Sequence, residues 1–131
     1  PKADLARPKH SLPWPVDGRV LRPFGRERDA QLGTWTVRQG VLFASAAGAA
    51  VGSIAPGSVI FTGPFRSYGK VVIVDHGGGF FSVYGELASI DAEKGDTVRE
   101  RGQIATAGDQ VYLEIRRGTE ALDPADWLES K

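Results

Sequence analysis

From Leu12 onward, glycine or proline interrupts the sequence every few residues, with 17 glycines and 8 prolines in 131 residues, and the apolar runs between them are short. Many short strands joined by tight turns produce such a pattern, and it leaves no room for a long amphipathic helix. The chain is therefore expected to be mostly β. Its clearest strand is Lys70-Val71-Val72-Ile73-Val74-Asp75, β-branched almost throughout and suited to a doubly covered, central position. His76 and Gly77-Gly78-Gly79 follow, and Phe80 to Tyr84 resumes a strand, so the glycines are expected to supply the positive φ values of a hairpin turn. Further strands are expected at Val41 to Ala44, Ser58 to Phe61, Gln103 to Thr106 and Gln110 to Arg116. Asp123-Pro124 fits an N-cap with proline at the first helical position, opening one short turn through Trp127 and Leu128. Residues 1–11 mix Lys2, Arg7, Lys9 and His10 with two prolines and no periodicity, which indicates a linker or tail before one domain over 12–131.

Charge excludes some partners. Lysine plus arginine equal aspartate plus glutamate at 16 each, so no overall field recruits nucleic acid or an anionic membrane. No apolar run approaches the length needed to cross a bilayer, so no membrane insertion is expected, and an export signal would lie outside this sequence. The absence of cysteine removes disulfides and thiolate metal sites and leaves the redox compartment open.

Two segments are loosely alike. Gly48-Ala49-Ala50-Val51 precedes Gly57-Ser58-Val59-Ile60, and Gly95-Asp96-Thr97-Val98 precedes Gly102-Gln103-Ile104. A compact barrel or sandwich built from related halves would produce this. Biotin and lipoyl carriers share such an architecture, but Lys70 and Lys94 lack the surroundings of a carrier lysine.

The residues also restrict catalysis. A catalytic zinc needs about three ligands from His, Cys, Asp and Glu with an open position for water. This chain has two histidines: His10 in the tail, and His76 at the entrance to the glycine turn, where a solvent-facing or turn-stabilising imidazole is expected. A serine triad would need one of the same two histidines, and Gly77-Gly78-Gly79 lacks the Lys and Ser or Thr of a phosphate loop. Asp91 with Glu93, and Asp96 with Glu100, fall in polar turns expected to be solvated.

An ordered set of short motifs carries a family resemblance over nearly the whole chain. Leu12-Pro13-Trp14-Pro15-Val16-Asp17-Gly18 opens it, followed by Phe24-Gly25, Gln39-Gly40-Val41, Tyr68-Gly69 and Asp75-His76-Gly77. Tyr84-Gly85-Glu86-Leu87, Lys94 to Val98, Arg101 to Ala105, Leu113-Glu114-Ile115-Arg116 and Asp123-Pro124 complete it. The set resembles the LytM, or lysostaphin-type, metallopeptidases, and most closely their EnvC-like amidase activators. That implies a compact LytM-type β-barrel or sandwich of the duplicated hybrid motif kind, with little helix.

Active members of that family hold zinc with a His-x-x-x-Asp pair and the second His of a His-x-His pair, with a further His in a Tyr-x-His-Leu segment. Here Arg38 stands at the first His position and Leu42 at the Asp position, while Gln110 and Tyr112 replace the His-x-His pair and Glu86 the additional His. The resemblance therefore implies a degenerate, non-catalytic member with no metal and no other cofactor.

What remains is a groove expected to bind a partner through Arg38, Gln39, Leu42, Tyr68, Tyr84, Glu86, Gln110, Tyr112 and Arg116. Leu42 and Tyr112 turn a charge-binding centre into an apolar, aromatic surface, with core packing the competing account for Leu42 and a surface-reaching hydroxyl expected for Tyr112. Tyr68 and Tyr84 are expected to line the groove, and Arg116 to share a strand face with Tyr112 and Glu114 by two-residue alternation. Arg38 and Glu86 are expected to form an ion pair across the emptied site. The resemblance implies an exported, periplasmic regulator that docks the regulatory helix of an N-acetylmuramoyl-L-alanine amidase and activates it during cell separation. A division-site transporter would be reached through regions outside this sequence. The alternatives are a non-catalytic peptidoglycan-binding domain and, last, a zinc endopeptidase.

Overall fold

The computed structural model describes residues 8–130; among them lie eleven strands and two 3-10 turns, with no α-helix. The strands are β1 (Gly18–Arg22), β2 (Gly25–Arg28), β3 (Trp35–Arg38), β4 (Val41–Ser45), β5 (Ala50–Gly52), β6 (Gly57–Pro64), β7 (Lys70–Gly77), β8 (Phe80–Ile90), β9 (Thr97–Val98), β10 (Gln103–Arg117) and β11 (Glu120–Leu122). The main sheet runs β1-β4-β10-β8-β7-β6-β9, with β5 and β11 also paired to β10, while β2 and β3 form a separate hairpin. The mostly β architecture expected from the sequence is the one observed.

The β-branched run over residues 70–75 lies within β7, an interior strand between β6 and β8. Val71, Val72 and Val74 are fully buried there. Gly77, Gly78 and Gly79 turn the chain into β8 with φ values of 88°, 63° and 86°, which a side chain would oppose. The strands expected at 103–106 and 110–116 are one fifteen-residue strand, β10. Its pairing with β8 shifts register between Ala107 and Tyr112, so its first part pairs with β5 and the far end of β8, and its second with β4 and the near end. One strand thereby serves both halves of the core.

The loosely similar segments exchange partners. β5 of the first segment pairs with β10 of the second, and β9 of the second pairs with β6 of the first. The core is continuous across both, from Phe43, Val51 and Ile54 to Ile104, Leu113 and Ile115. Asp123 accepts a hydrogen bond from the Ala125 amide at 2.9 Å, capping a 3-10 turn over Pro124–Asp126. Leu12 forms a parallel bridge with Leu128, and the His10 amide donates to the Asp126 carbonyl, so the two ends of the domain clasp. Residues 1–7 of the expected tail lie outside the described residues.

His76 is buried at 3% exposure, not directed to solvent. Its Nδ1 lies 2.7 Å from the Pro56 carbonyl and its Nε2 2.7 Å from the Ser82 hydroxyl, so it joins the loop before β6 to the β7–β8 pair. The glycine turn bends the chain after Asp75, and the inward alternation of β7 carries His76 into the core with Val72 and Val74.

Candidate functional site

Strands β4, β10 and β8 lie side by side, and their register sets Tyr112 opposite Leu42 on one flank and Gly85 on the other. Above them opens a groove of about 300 Å³ lined by Val37, Arg38, Gln39, Leu42, Ser67, Tyr68, Glu86 and Tyr112. The end of the β2–β3 hairpin forms one wall and the 3-10 turn Arg66–Tyr68 the other. Six expected positions thus meet here: Arg38, Gln39, Leu42, Tyr68, Glu86 and Tyr112.

Gly40 permits this approach. A Cβ there would sit 2.3 Å from the Leu113 carbonyl oxygen and 2.8 Å from Tyr112 Cζ, so only a bare backbone can turn into β4 against the tyrosine ring. On the far side, Glu86 adopts φ 57° where the β8–β10 register breaks. A left-handed non-glycine residue costs about 1–2 kcal/mol and must be held by its surroundings. Here the Glu86 carboxylate accepts a hydrogen bond from Gln110 Nε2, which brings Gln110 to the groove through Glu86.

Tyr112 stacks on Tyr68 with ring centroids 5.1 Å apart and planes 20° from parallel. Its hydroxyl donates to Glu114 Oε2 at 2.6 Å, while Arg116 Nη1 donates to Glu114 Oε1 at 2.7 Å and Nη2 to the Thr119 carbonyl. Glu114 is only 4% exposed, and these two partners offset the cost of burying its charge. Burial, then the Glu114 hydrogen bond and charge, pushes the Tyr112 phenol well above its ordinary pKa, and burial with the Glu114 charge raises Tyr68. The row continues through Phe65, stacked on Tyr68 at 6.3 Å, to Phe61 at 5.7 Å from Phe65.

Three expectations are corrected. Tyr84 does not line the groove: it is fully buried, with its hydroxyl accepting from the Ile54 amide at 3.0 Å and lying 2.7 Å from Ser82. The β8 alternation points it into the core beside Ser82. Arg38 does not pair with Glu86; its Nη1 donates to Glu27 Oε1 at 2.6 Å. The β2–β3 register places Arg38 opposite Gly25, within reach of Glu27 on the same hairpin face, while Glu86 is turned to Gln110. Tyr112 is 8% exposed, because Glu114 beneath it satisfies the hydroxyl without solvent. Arg116 takes the expected face, where it binds Glu114 and the Thr119 carbonyl, and it is not on the groove lining.

Glu114, Val37 and Ser67 were not singled out from the sequence. Glu114 had a signal, since alternation sets it between Tyr112 and Arg116 on one face of β10. Val37 and Ser67 had none: one is an isolated apolar residue on a hairpin, the other a turn residue.

A profile of Peptidase family M23 matches residues 36–124. The chain belongs to peptidase family M23. The murein hydrolase activator EnvC of Escherichia coli is 34% identical over 95% of the chain, and the murein hydrolase activator NlpD of Salmonella dublin is 25% identical over 88%. This chain spans 30% of the length of each. A zinc-containing peptidase from Vibrio cholerae superposes with a TM-score of 0.80 at 22% identity, over 93% of this chain and 41% of that one.

The donors in this M23 domain do not fit zinc. The groove offers a guanidinium at Arg38, an aliphatic chain at Leu42 and a phenol at Tyr112 already bonded to Glu114, which leaves Glu86 as the carboxylate on its lining. Among the described residues no three of His, Cys, Asp and Glu converge as a metal-holding group.

Proposed function

We propose that this M23 domain is non-catalytic and that its groove docks the regulatory helix of an N-acetylmuramoyl-L-alanine amidase, activating it. The observation that carries this reading is the groove itself. At positions where the family resemblance implies zinc ligands it presents Leu42 and the stacked Tyr112, with Tyr68 as a wall and Arg38 and Glu86 at its sides. Aromatic rings fixed from below are rigid, low-entropy anchors for an apolar helix face. The names of EnvC and NlpD as murein hydrolase activators support the same reading. Activation follows if the domain binds the amidase with its helix displaced better than with its helix closed, since only differential affinity shifts that equilibrium. The site of action is then the periplasm, with the division-site transporter engaged by other parts of the protein.

Release of dye from labelled sacculi tests this. The domain alone releases none; the source organism's amidase with the domain releases more than the amidase alone; Tyr68→Ala abolishes the stimulation while keeping the melting temperature within a few degrees. Sedimentation with sacculi but no stimulation of any amidase would establish the peptidoglycan-binding alternative instead.

A further inference from the structure

The β2–β3 hairpin stands apart from the main sheet, and together with the preceding strand β1 it concentrates charge that the chain as a whole does not have. Between Arg19 and Arg38 there are five arginines against two carboxylates, in a chain with zero net charge. Both carboxylates are engaged. Glu27 accepts from Arg38, and Asp29 Oδ1 accepts from the Gln31 and Leu32 amides at 2.9 and 2.8 Å. Arg22, at the end of β1, and Arg28, on the hairpin, line a cleft of about 310 Å³ with these groups and enter no ion pair among the described residues.

The hairpin also holds apolar side chains out in solvent. Leu32, Trp35 and Val37 are 75%, 55% and 59% exposed. The register puts Val37 opposite Arg26, and the Arg26 guanidinium lies over the Trp35 ring at 4.4 Å. The Asp29 bonds and the Asp29–Thr34 backbone pair fix the tip, so this surface is organised before any partner arrives. Val37 and Arg38 belong to the hairpin and to the groove wall alike, so the two surfaces are continuous.

We propose that the hairpin is a second docking surface, taking an acidic segment with apolar side chains from the same amidase whose helix fills the groove. This rests on the groove reading. Exposed tryptophan and arginine are the side chains that most often anchor protein interfaces, and unpaired guanidiniums select carboxylates. Continuity with the groove favours one protein partner over a lipid surface.

The test measures the affinity of the purified domain for the source organism's amidase as wild type, Trp35→Ser, the double variant Arg22→Gln with Arg28→Gln, and the groove variant Tyr68→Ala, with circular dichroism melting for each. The expected result is a loss of about tenfold or more in both hairpin variants, a shallower salt dependence in the double arginine variant, and unchanged melting. Wild-type affinity in both hairpin variants, with Tyr68→Ala impaired, overturns this proposal and leaves the groove reading standing. If the wild type binds no amidase, both fall. Hairpin-dependent sedimentation with phosphatidylglycerol vesicles, with amidase affinity unaffected, assigns the face to a lipid surface and also overturns the proposal.

Discussion

Tyr112 ties the packing of β10 to the lining of the groove. Its ring stacks on Tyr68, and its hydroxyl donates to the buried Glu114 carboxylate that Arg116 also binds. Tyr112→Phe keeps the stack but removes the 2.6 Å hydroxyl donor from Glu114, and a buried acceptor that loses a partner costs about 1–3 kcal/mol. Urea unfolding should show that loss, with amidase binding reduced less than in Tyr68→Ala. All three tyrosines have phenols raised above their ordinary pKa, with burial the first cause in each. The folded state therefore keeps these protons after the unfolded chain loses them. Their contribution is complete below pH ~10 and falls as pH rises beyond it, by ~1.4 kcal/mol per pH unit for a fully buried tyrosine such as Tyr84. Phenolate absorbance from the buried Tyr84 and Tyr112 should appear together with unfolding above that pH, and a folded-state phenolate signal from either near pH 10 would contradict the packing described.

At the level of elements, the groove depends on two backbone features. Gly40 lets the β3–β4 turn press against β10; Gly40→Ala meets the Leu113 carbonyl and should destabilise by about 3 kcal/mol, the upper part of the overpacking range, in chemical denaturation. The register break between β8 and β10 is the other. Glu86→Gly relieves the left-handed strain of about 1 kcal/mol while removing the Gln110 hydrogen bond of similar size. The denaturation midpoint should therefore move little, and any change in amidase binding then reports the lost carboxylate rather than a lost fold.

For the whole molecule, strand exchange between the two similar segments and the clasp of Leu12 on Leu128 close the core without a disulfide. A ligand that binds only the folded state raises its stability in proportion to the logarithm of concentration over Kd. Zinc should give no such rise, and a chelator no fall, because the groove supplies no ligand set. A melting temperature that climbs with micromolar zinc and returns with chelator would contradict this.

Much of the architecture is local and was legible in the chain alone. The valine run of β7, the Gly77–Gly79 turn and the Asp123 cap depend on neighbours in sequence, and each lies where propensity places it. Leu42, Glu86 and Tyr112 meet because β4, β10 and β8 are neighbours in the sheet, and Arg38 joins them from the end of the separate β2–β3 hairpin. Partner choice was not legible, since it depends on distances between segments far apart in sequence. Arg38 had carboxylates available at Glu27 and Glu86, and only the hairpin register decided for Glu27. Tyr68 and Tyr84 each precede a glycine, yet one forms a groove wall and the other is sealed in the core, because one lies in a 3-10 turn and the other on the inward phase of β8. Residue type determined the chemistry these side chains offer, since arginine and leucine bind no zinc in any conformation; the tertiary structure decided which of them the groove presents, because burial and contact are properties of the packed chain.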